Sequence, residues 1–175
     1  MPEERYFLEL DRVPVFIGKE GSKKKEIEDK FECEIEIDSD TGEVIISSED
    51  ALNIFIVSNI ISAVNYGHNP DKALALEDEN YVLDVIDVKP MVRDSGRLKV
   101  VMGRIIGKEG STRSLIEEMT KCAVSVRDNY VSVIGPYENT LIVHEALEML
   151  INGSSHKSFY SFLERNSVNV DSGLL

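Results

Sequence analysis

Two cysteines in 175 residues are too few for a disulfide framework, and no Cys-x-x-Cys spacing is present for redox or metal chemistry. Cys33 and Cys122 each fall just before an alternating stretch, so small buried packing residues are expected, not a bridge. The three histidines, His68, His144 and His156, lie far apart without ligand spacing, and neither a metal nor a cofactor is implied. No apolar run approaches the roughly 20 residues a membrane helix needs. Met1-Pro2-Glu3-Glu4-Arg5 lacks the pattern of a signal peptide, and the chain is expected in the cytoplasm. Positive charge is in deficit, with 19 Lys and Arg against 32 Asp and Glu, a net −13. Taken alone, that balance argues against a nucleic-acid partner, because Lys and Arg hold phosphate backbones. Catalysis fares no better. No serine or cysteine has a base at motif spacing, and Gly-Lys-Glu-Gly-Ser lacks the four-residue gap before Gly-Lys-Ser/Thr that nucleotide hydrolysis needs.

What the chain does contain is a duplication. Ile17-Gly18-Lys19-Glu20-Gly21-Ser22 recurs as Ile106-Gly107-Lys108-Glu109-Gly110-Ser111, and Gly107 lies 89 positions after Gly18. The same offset carries Ile27 onto Ile116, Glu28 onto Glu117, Cys33 onto Cys122, Ile35 onto Val124 and Ile37 onto Val126. A period this long exceeds the roughly 20–50 residues of solenoid repeats and predicts two tandem small domains. Boundaries are expected at residues 1–76 and 77–165, the second including a helical extension, with a flexible tail over 166–175. In both copies a short loop is opened and closed by glycine. That lets the backbone approach something bulky and offers main-chain N–H groups beside a helix N-terminus, which favours an anion. The charge is segregated accordingly. Lys19, Lys23, Lys24, Lys25 and Lys30 crowd the first loop and its helix, while Arg97, Lys99, Arg104, Lys108, Arg113, Lys121 and Arg127 crowd the second. Acids gather at Glu32 to Glu43 and around Glu77 to Asp87.

The coarse pattern repeats as well. Tyr6, Leu8 and Leu10 alternate with Phe7, Glu9 and Asp11 as a first strand, and Pro14 suits the first turn of a short helix. Ser22 is placed to cap the next helix, with Ile27 and Phe31 inward. Cys33, Ile35 and Ile37 form a strand, Asp40-Thr41-Gly42 a turn, Val44 to Ile46 the return strand, and Ala51 to Tyr66 a long helix ended by Gly67. After a short linking helix, Tyr81 to Val88 reads as a strand, Arg93 to Arg97 as a loop, and Leu98 to Ile106 as a helix. A hairpin turns at Asp128-Asn129. Pro136 opens a helix with Leu141, Val143, Leu147 and Leu150 inward, and Phe159, Phe162 and Leu163 anchor a final helix. The expected class is α+β: in each copy, a three-stranded antiparallel sheet with helices packed on one face.

Ile-Gly-Lys-x-Gly between two helices, in this order of elements, resembles the type I KH domain, twice over nearly the whole chain. The resemblance implies single-stranded RNA or DNA binding, with the Gly-x-x-Gly loop clamping about four nucleotides. One departure recurs: Lys24 and Arg113 stand where KH motifs usually carry an apolar residue. A narrower resemblance rests on Gly67-His68-Asn69-Pro70-Asp71-Lys72-Ala73-Leu74, Asn80 to Asp87, Met102 to Gly107 and Gly153-Ser154-Ser155-His156-Lys157-Ser158-Phe159-Tyr160-Ser161-Phe162-Leu163. These stretches are similar to the archaeal two-KH ribosome-assembly family, relatives of the eukaryotic partner-of-Nob-one pre-rRNA processing factors. That likeness implies binding near the 3′ end of small-subunit rRNA. A maturation endonuclease and the alpha subunit of archaeal initiation factor two are the partners it implies.

In the second copy the amides of Gly107 to Gly110 are expected to face the sugar-phosphate backbone, with Arg104, Lys108 and Arg113 adding charge. Ile106, Val124 and Val126 would floor the groove, and main-chain groups of their strand would read base edges. Glu109 and Glu20 are expected to point to solvent. The first copy offers Gly18, Lys19, Glu20, Gly21 and Lys24, but Glu32, Glu34 and Glu36 near its groove should weaken it, where the second has Lys121, Ala123 and Ser125. The bland alternative makes the glycines a tight helix–helix turn and the isoleucines core. Two other classes stay open: an RNA-binding subunit of a degradation complex, which usually carries an S1-type barrel for which no residues remain, and a protein–protein adaptor.

Overall fold

The computed structural model describes residues 1–172 and divides between Asp78 and Glu79 into two compact units. Unit 1 holds β1 (Glu3–Phe7), α1 (Val13–Ile17), α2 (Ser22–Lys30), β2 (Glu34–Ile37), β3 (Glu43–Ser47), α3 (Ala51–Asn65) and α4 (Pro70–Ala73). Its strands form one antiparallel sheet in the order β1-β3-β2, with Tyr6 opposite Val44 and Ile35 opposite Ile46. Alternation sets the faces: Ile35, Val44 and Ile46 are buried while Glu34 and Glu36 are exposed. The β2–β3 turn is held by the Asp38 carboxylate, which accepts from the amides of Asp40 (2.8 Å) and Thr41 (3.2 Å). Gly42 completes it at φ +79°, where a Cβ would sit 2.1 Å from the Leu8 carbonyl oxygen.

The first strand is earlier and shorter than its alternation suggests. After Phe7, Leu8 donates to the Gly42 carbonyl (2.8 Å) and the Glu9 amide donates to the Asn65 side chain (3.0 Å), so the chain turns away from the sheet. Leu10 lands in a 3-10 turn over Leu10–Arg12 and is 57% exposed, not inward. Arg12 from that turn donates to the carbonyls of Val64 (2.7 Å) and His68 (3.0 Å), closing the C-terminal end of α3.

Unit 2 repeats the plan with β4 (Tyr81–Asp87), α5 (Ser95–Ile106), α6 (Ser111–Thr120), β5 (Ala123–Arg127), β6 (Tyr130–Pro136), α7 (Tyr137–Ile151) and α8 (His156–Ser172). Its sheet runs β4-β6-β5, again antiparallel. The helix expected from Leu98 starts at Ser95, because the Asp94 side chain accepts from the Arg97 amide (2.7 Å) and caps it. One core joins the sheet to all four helices: Ile86, Val124, Val131 and Val133 meet Ile105, Ile116, Val143, Leu147, Leu150, Phe159 and Leu163. Full burial of such a side chain contributes about 1.5–3 kcal/mol. Leu141 is not part of it. The 3.6-residue period puts Thr140, Val143 and Leu147 on the inward stripe and leaves Leu141 51% exposed. Helix α8 continues past Arg165 through 166–172, where the sequence reading expects a flexible tail; 173–175 lie outside the described residues.

The acidity is unevenly shared. Unit 1 carries 8 Lys and Arg against 19 Asp and Glu, a net −11, and unit 2 carries 11 against 13, a net −2.

Candidate nucleic-acid interface

Each glycine loop joins two helices through the same backbone conformation. Gly18 and Gly107 sit at φ +75°, Glu20 and Glu109 at φ +55°, Gly21 and Gly110 at φ +75° and +76°. The two glycines of a loop are needed for different reasons. At Gly107 a Cβ would lie 2.3 Å from Thr112 Oγ1 and 2.6 Å from the Thr112 amide, so a side chain is excluded by the start of α6. At Gly110 a Cβ would meet nothing within 4 Å. Glycine there serves the left-handed turn and leaves the surface bare for a close approach. Glu20 and Glu109 occupy a left-handed conformation that costs a residue with a Cβ about 1–2 kcal/mol. Both side chains are exposed.

The bonding inside the loop narrows what it can offer. The Gly107 amide donates to the Gly103 carbonyl (2.9 Å) and the Gly110 amide to the Gly107 carbonyl (3.2 Å). The amides of Lys108 and Glu109 take no part in this, and the first turn of α6 has no side-chain cap. The anion-facing donors are therefore these two amides and the start of α6, not the whole run from Gly107 to Gly110. Ser22 and Ser111 are the first helical residues after a left-handed glycine, so Ser22 does not cap as expected. Lys108 is exposed and makes no ion pair among the described residues.

Beside α6, the helix that follows the loop, runs the free edge of β5, and here the structure departs from the sequence reading. Val124 is 2% exposed, so its side chain belongs to the core and not to a groove floor. Its backbone is also occupied: the amide donates to Glu117 Oε1 (2.8 Å), and Arg113 donates to its carbonyl (3.4 Å). The apolar surface left is Ile106, 38% exposed, and the half-buried Val126. Strand alternation turns the Val126 N–H and C=O to the same edge as those of Val124. Arg104, expected beside a phosphate, donates instead to the carbonyls of Leu150 (3.0 Å) and Ser154. Arg12 makes the matching pair of bonds at the end of α3, so both arginines serve as clamps on a helix C-terminus.

Unit 1 shares this frame with a different charge state. Glu28 accepts from the Ile35 amide (2.8 Å) as Glu117 does from Val124, but Lys24 ends on Glu28 (3.0 Å), whereas Arg113 reaches a carbonyl. Lys23 is paired with Glu26 (2.9 Å) and Asp71, and Lys30 with Glu77 (2.5 Å). The two partners raise the Lys23 pKa. Three of the five lysines that crowd this loop are thus neutralised locally. Glu34 and Glu36 lie on the exposed face of β2, opposite to Ile35, so their charge acts from the far side of the sheet. Glu32 and Lys121, at φ +45° and +58°, sit in turns before the strands and not on them. Both cysteines are buried and free, and burial pushes their thiols up to about 11.

Comparison with known proteins bears on this frame. Residues 82–168 match the family described as eukaryotic type KH-domain (KH-domain type I), and residues 3–62 match the KH domain. A KH domain-containing protein of Methanocaldococcus jannaschii is 41% identical over 163 residues, which span 91% of this chain and 72% of that one. The solved a/eIF2alpha–aDim2p–rRNA complex from Pyrococcus horikoshii OT3 holds a chain of the same fold at 39% identity. Its TM-score is 0.86, over 96% of this chain and 95% of that chain. The chain belongs to the Dim2p family of tandem KH-domain proteins. The RNA-binding protein PNO1 of Oryzias latipes is 32% identical over 117 residues, 65% of this chain; the matched stretch is 47% of that protein, so the likeness spans about half of it.

Membership in the family fixes the meaning of the shared geometry. The loops at 18–21 and 107–110 are the Gly-x-x-Gly loops of the two KH domains, and β2 and β5 are the strands beside them. The sequence reading matched Glu28 with Glu117 and named His156 and Tyr160 within the last stretch, but gave none of the four a part in the site. For the two glutamates the signal was available in the repeat itself, since they occupy the same place in both copies.

Proposed function

We propose that the chain is a non-catalytic binder of single-stranded RNA that accompanies small-subunit rRNA near its 3′ end during maturation, with the second KH domain carrying most of the affinity. One observation carries the reading: a loop bare of side chains at Gly110, with free amides at Lys108 and Glu109 and an unpaired Lys108, leads into α6, which borders an edge strand that keeps one open rung at Val126. Lys108, those amides and the start of α6 would take phosphates. Ile106 and Val126 would support bases, and the Val126 main chain would read their edges. Arg113 adds charge at the groove margin, and Arg104 fixes α5 and hence the loop. In the first domain Gly18, Lys19, Glu20, Gly21 and Lys24 form a weaker copy, because Lys24 is already neutralised.

The relative solved with rRNA and a/eIF2alpha supports both the RNA and a protein partner. The net −11 of the first unit suits a basic protein surface better than a phosphate backbone. Among the described residues no helix is long and apolar enough to cross a membrane, in keeping with a cytoplasmic role.

The test is paired. Lys108→Asp with Glu109→Asp should abolish binding of a short single-stranded RNA in fluorescence anisotropy, while Lys19→Asp with Glu20→Asp should weaken it a few-fold. Equal losses would refute the asymmetry between domains. If the unaltered protein binds no oligonucleotide at any ionic strength, the adaptor reading takes its place.

A further inference from the structure

We propose that the outward face of α3, in the first KH domain, is a docking surface for a basic amphipathic helix of a partner protein. The inference is independent of the RNA groove, since no residue of this face belongs to a Gly-x-x-Gly loop or to β2. Helix α3 is 15 residues long and contains no Asp, Glu, Lys or Arg, in a chain of which 29% of the residues are charged. Its inward stripe is formed by Ile54, Val57, Ile60, Ile61 and Val64. Outside that stripe, Leu52 and Phe55 are 60% and 61% exposed, and Ile56 is half-buried beside them. With Asn59 they stand at i, i+3, i+4 and i+7, one continuous strip along the helix. Ser58 adds little polarity, because its hydroxyl donates to the Phe55 carbonyl (2.7 Å). A helix face that meets only water ordinarily carries charged residues.

The duplicate supplies the control. Gly153 lies 86 positions after Gly67, and the Leu150 carbonyl held by Arg104 lies 86 after the Val64 carbonyl held by Arg12, so α3 and α7 align at that offset. On α7 the strip then reads Glu138, Leu141, Ile142 and Glu145, an apolar middle framed by two carboxylates. On α3 the frame is replaced by Leu52 and Asn59, and the charge lies at one end. Glu49 and Asp50 precede the helix, and the pairing of Glu4 with Ile46 brings Glu4 to the strand end that leads into it. Glu4 is on the helix side of β1, because Tyr6 donates to its carboxylate and also hydrogen-bonds Ser58 of α3. An apolar strip that ends in three carboxylates, within a unit of net −11, matches a helix with apolar residues at the same spacing and Lys or Arg beside them. A second copy of the chain does not match, since it would bring another unit of net −11 against the first.

The test pans a random library of peptides of about 16 residues, long enough for roughly four helical turns, on the immobilised full chain and measures the selected peptides by calorimetry. Those recovered should carry apolar residues three and four apart and a net positive charge. Leu52→Ser with Phe55→Ser removes the strip at exposed positions, which leaves the fold intact, and should weaken these peptides about tenfold, the range expected for two lost apolar contacts. Glu4→Lys with Glu49→Lys keeps the strip and should weaken them as well, by an amount that shrinks as salt is raised. The serine variant should keep its affinity for a short single-stranded RNA; a loss there would place the strip in the path of the RNA and overturn the docking surface. Recovery of no peptide, of peptides without positive charge, or of peptides that hold the serine variant as tightly as the unaltered protein overturns it too. So does a concentration-dependent dimer in sedimentation velocity that the serine variant lacks, because a second copy would then be the occupant.

Discussion

At the scale of single residues, the loop separates two glycines that look interchangeable in the sequence. Gly107→Ala places a Cβ against both the side chain and the amide of Thr112 at a positive φ. Strain and overpacking together should destabilise unit 2 by about 2–4 kcal/mol in urea denaturation. Gly110→Ala meets open space and should cost only about 1 kcal/mol, yet it puts a methyl group where a ligand backbone approaches, so its larger effect should be on RNA affinity. A similar contrast separates two cations of the same stretch. Lys108→Gln should reduce the slope of log Kd against log salt by about 0.7, one phosphate contact on a single strand. Arg104→Gln should leave that slope nearly unchanged and instead lower stability by about 1–3 kcal/mol, because two carbonyls at the end of α7 lose a charged donor. Spacing could not distinguish these roles: Arg104 and Lys108 stand four apart on the sequence, and only the distant Leu150 and Ser154 reveal where the guanidinium goes.

At the scale of elements, α8 and the β4–α7 contact give two further expectations. Phe159 is fully buried on α8, and Phe159→Ala should cost about 3–5 kcal/mol, which makes the helix part of the domain and not an appendage. His144 on α7 touches Asp84 on β4 (2.6 Å) and Glu148 one turn along (3.2 Å). Burial lowers its pKa, but the hydrogen bonds and charges of the two carboxylates outweigh it and the net shift is upward from 6.5. A raised folded pKa means the contribution is complete below the unfolded value and is lost as pH rises through the folded one. The stability advantage of the unaltered protein over His144→Gln should therefore shrink between pH 6 and pH 8. An advantage independent of pH would show that the ring's charge is not what joins the two elements.

Much of this level was legible in the chain. Alternation at Ile35 and Ile37, the turn at Gly42, the duplicated loop and the proline at the start of α1 all depend on neighbours within a few residues, and such signals survive in a linear reading. What was lost depends on contacts far along the chain. Leu10 leaves the strand because the Glu9 amide binds Asn65, and Leu141 turns outward because of where α7 meets its core. Of the groove, the loop was readable. The sealed Val124, whose amide is held by a glutamate seven positions earlier, was not, because a carboxylate on a helix gives no sign in the sequence of the strand it will reach.

At the scale of the whole molecule, the net −13 that argues against a nucleic-acid partner is nearly all in unit 1, and unit 2 is close to neutral. Affinity for RNA should accordingly respond to salt as a handful of phosphate contacts would, and charge-reversing substitutions on the exposed face of β2 should alter protein association more than RNA binding. The carboxylates of Glu28 and Glu117 have one more effect. Each holds the first outward amide of an edge strand, the kind of open hydrogen-bonding row along which another polypeptide could pair. With that position filled from within, a foreign peptide arriving alongside β2 or β5 finds its ladder broken at the first step. Two copies of the chain are thereby discouraged from zipping into a continuous sheet, while a polynucleotide, which needs no such ladder, is still admitted.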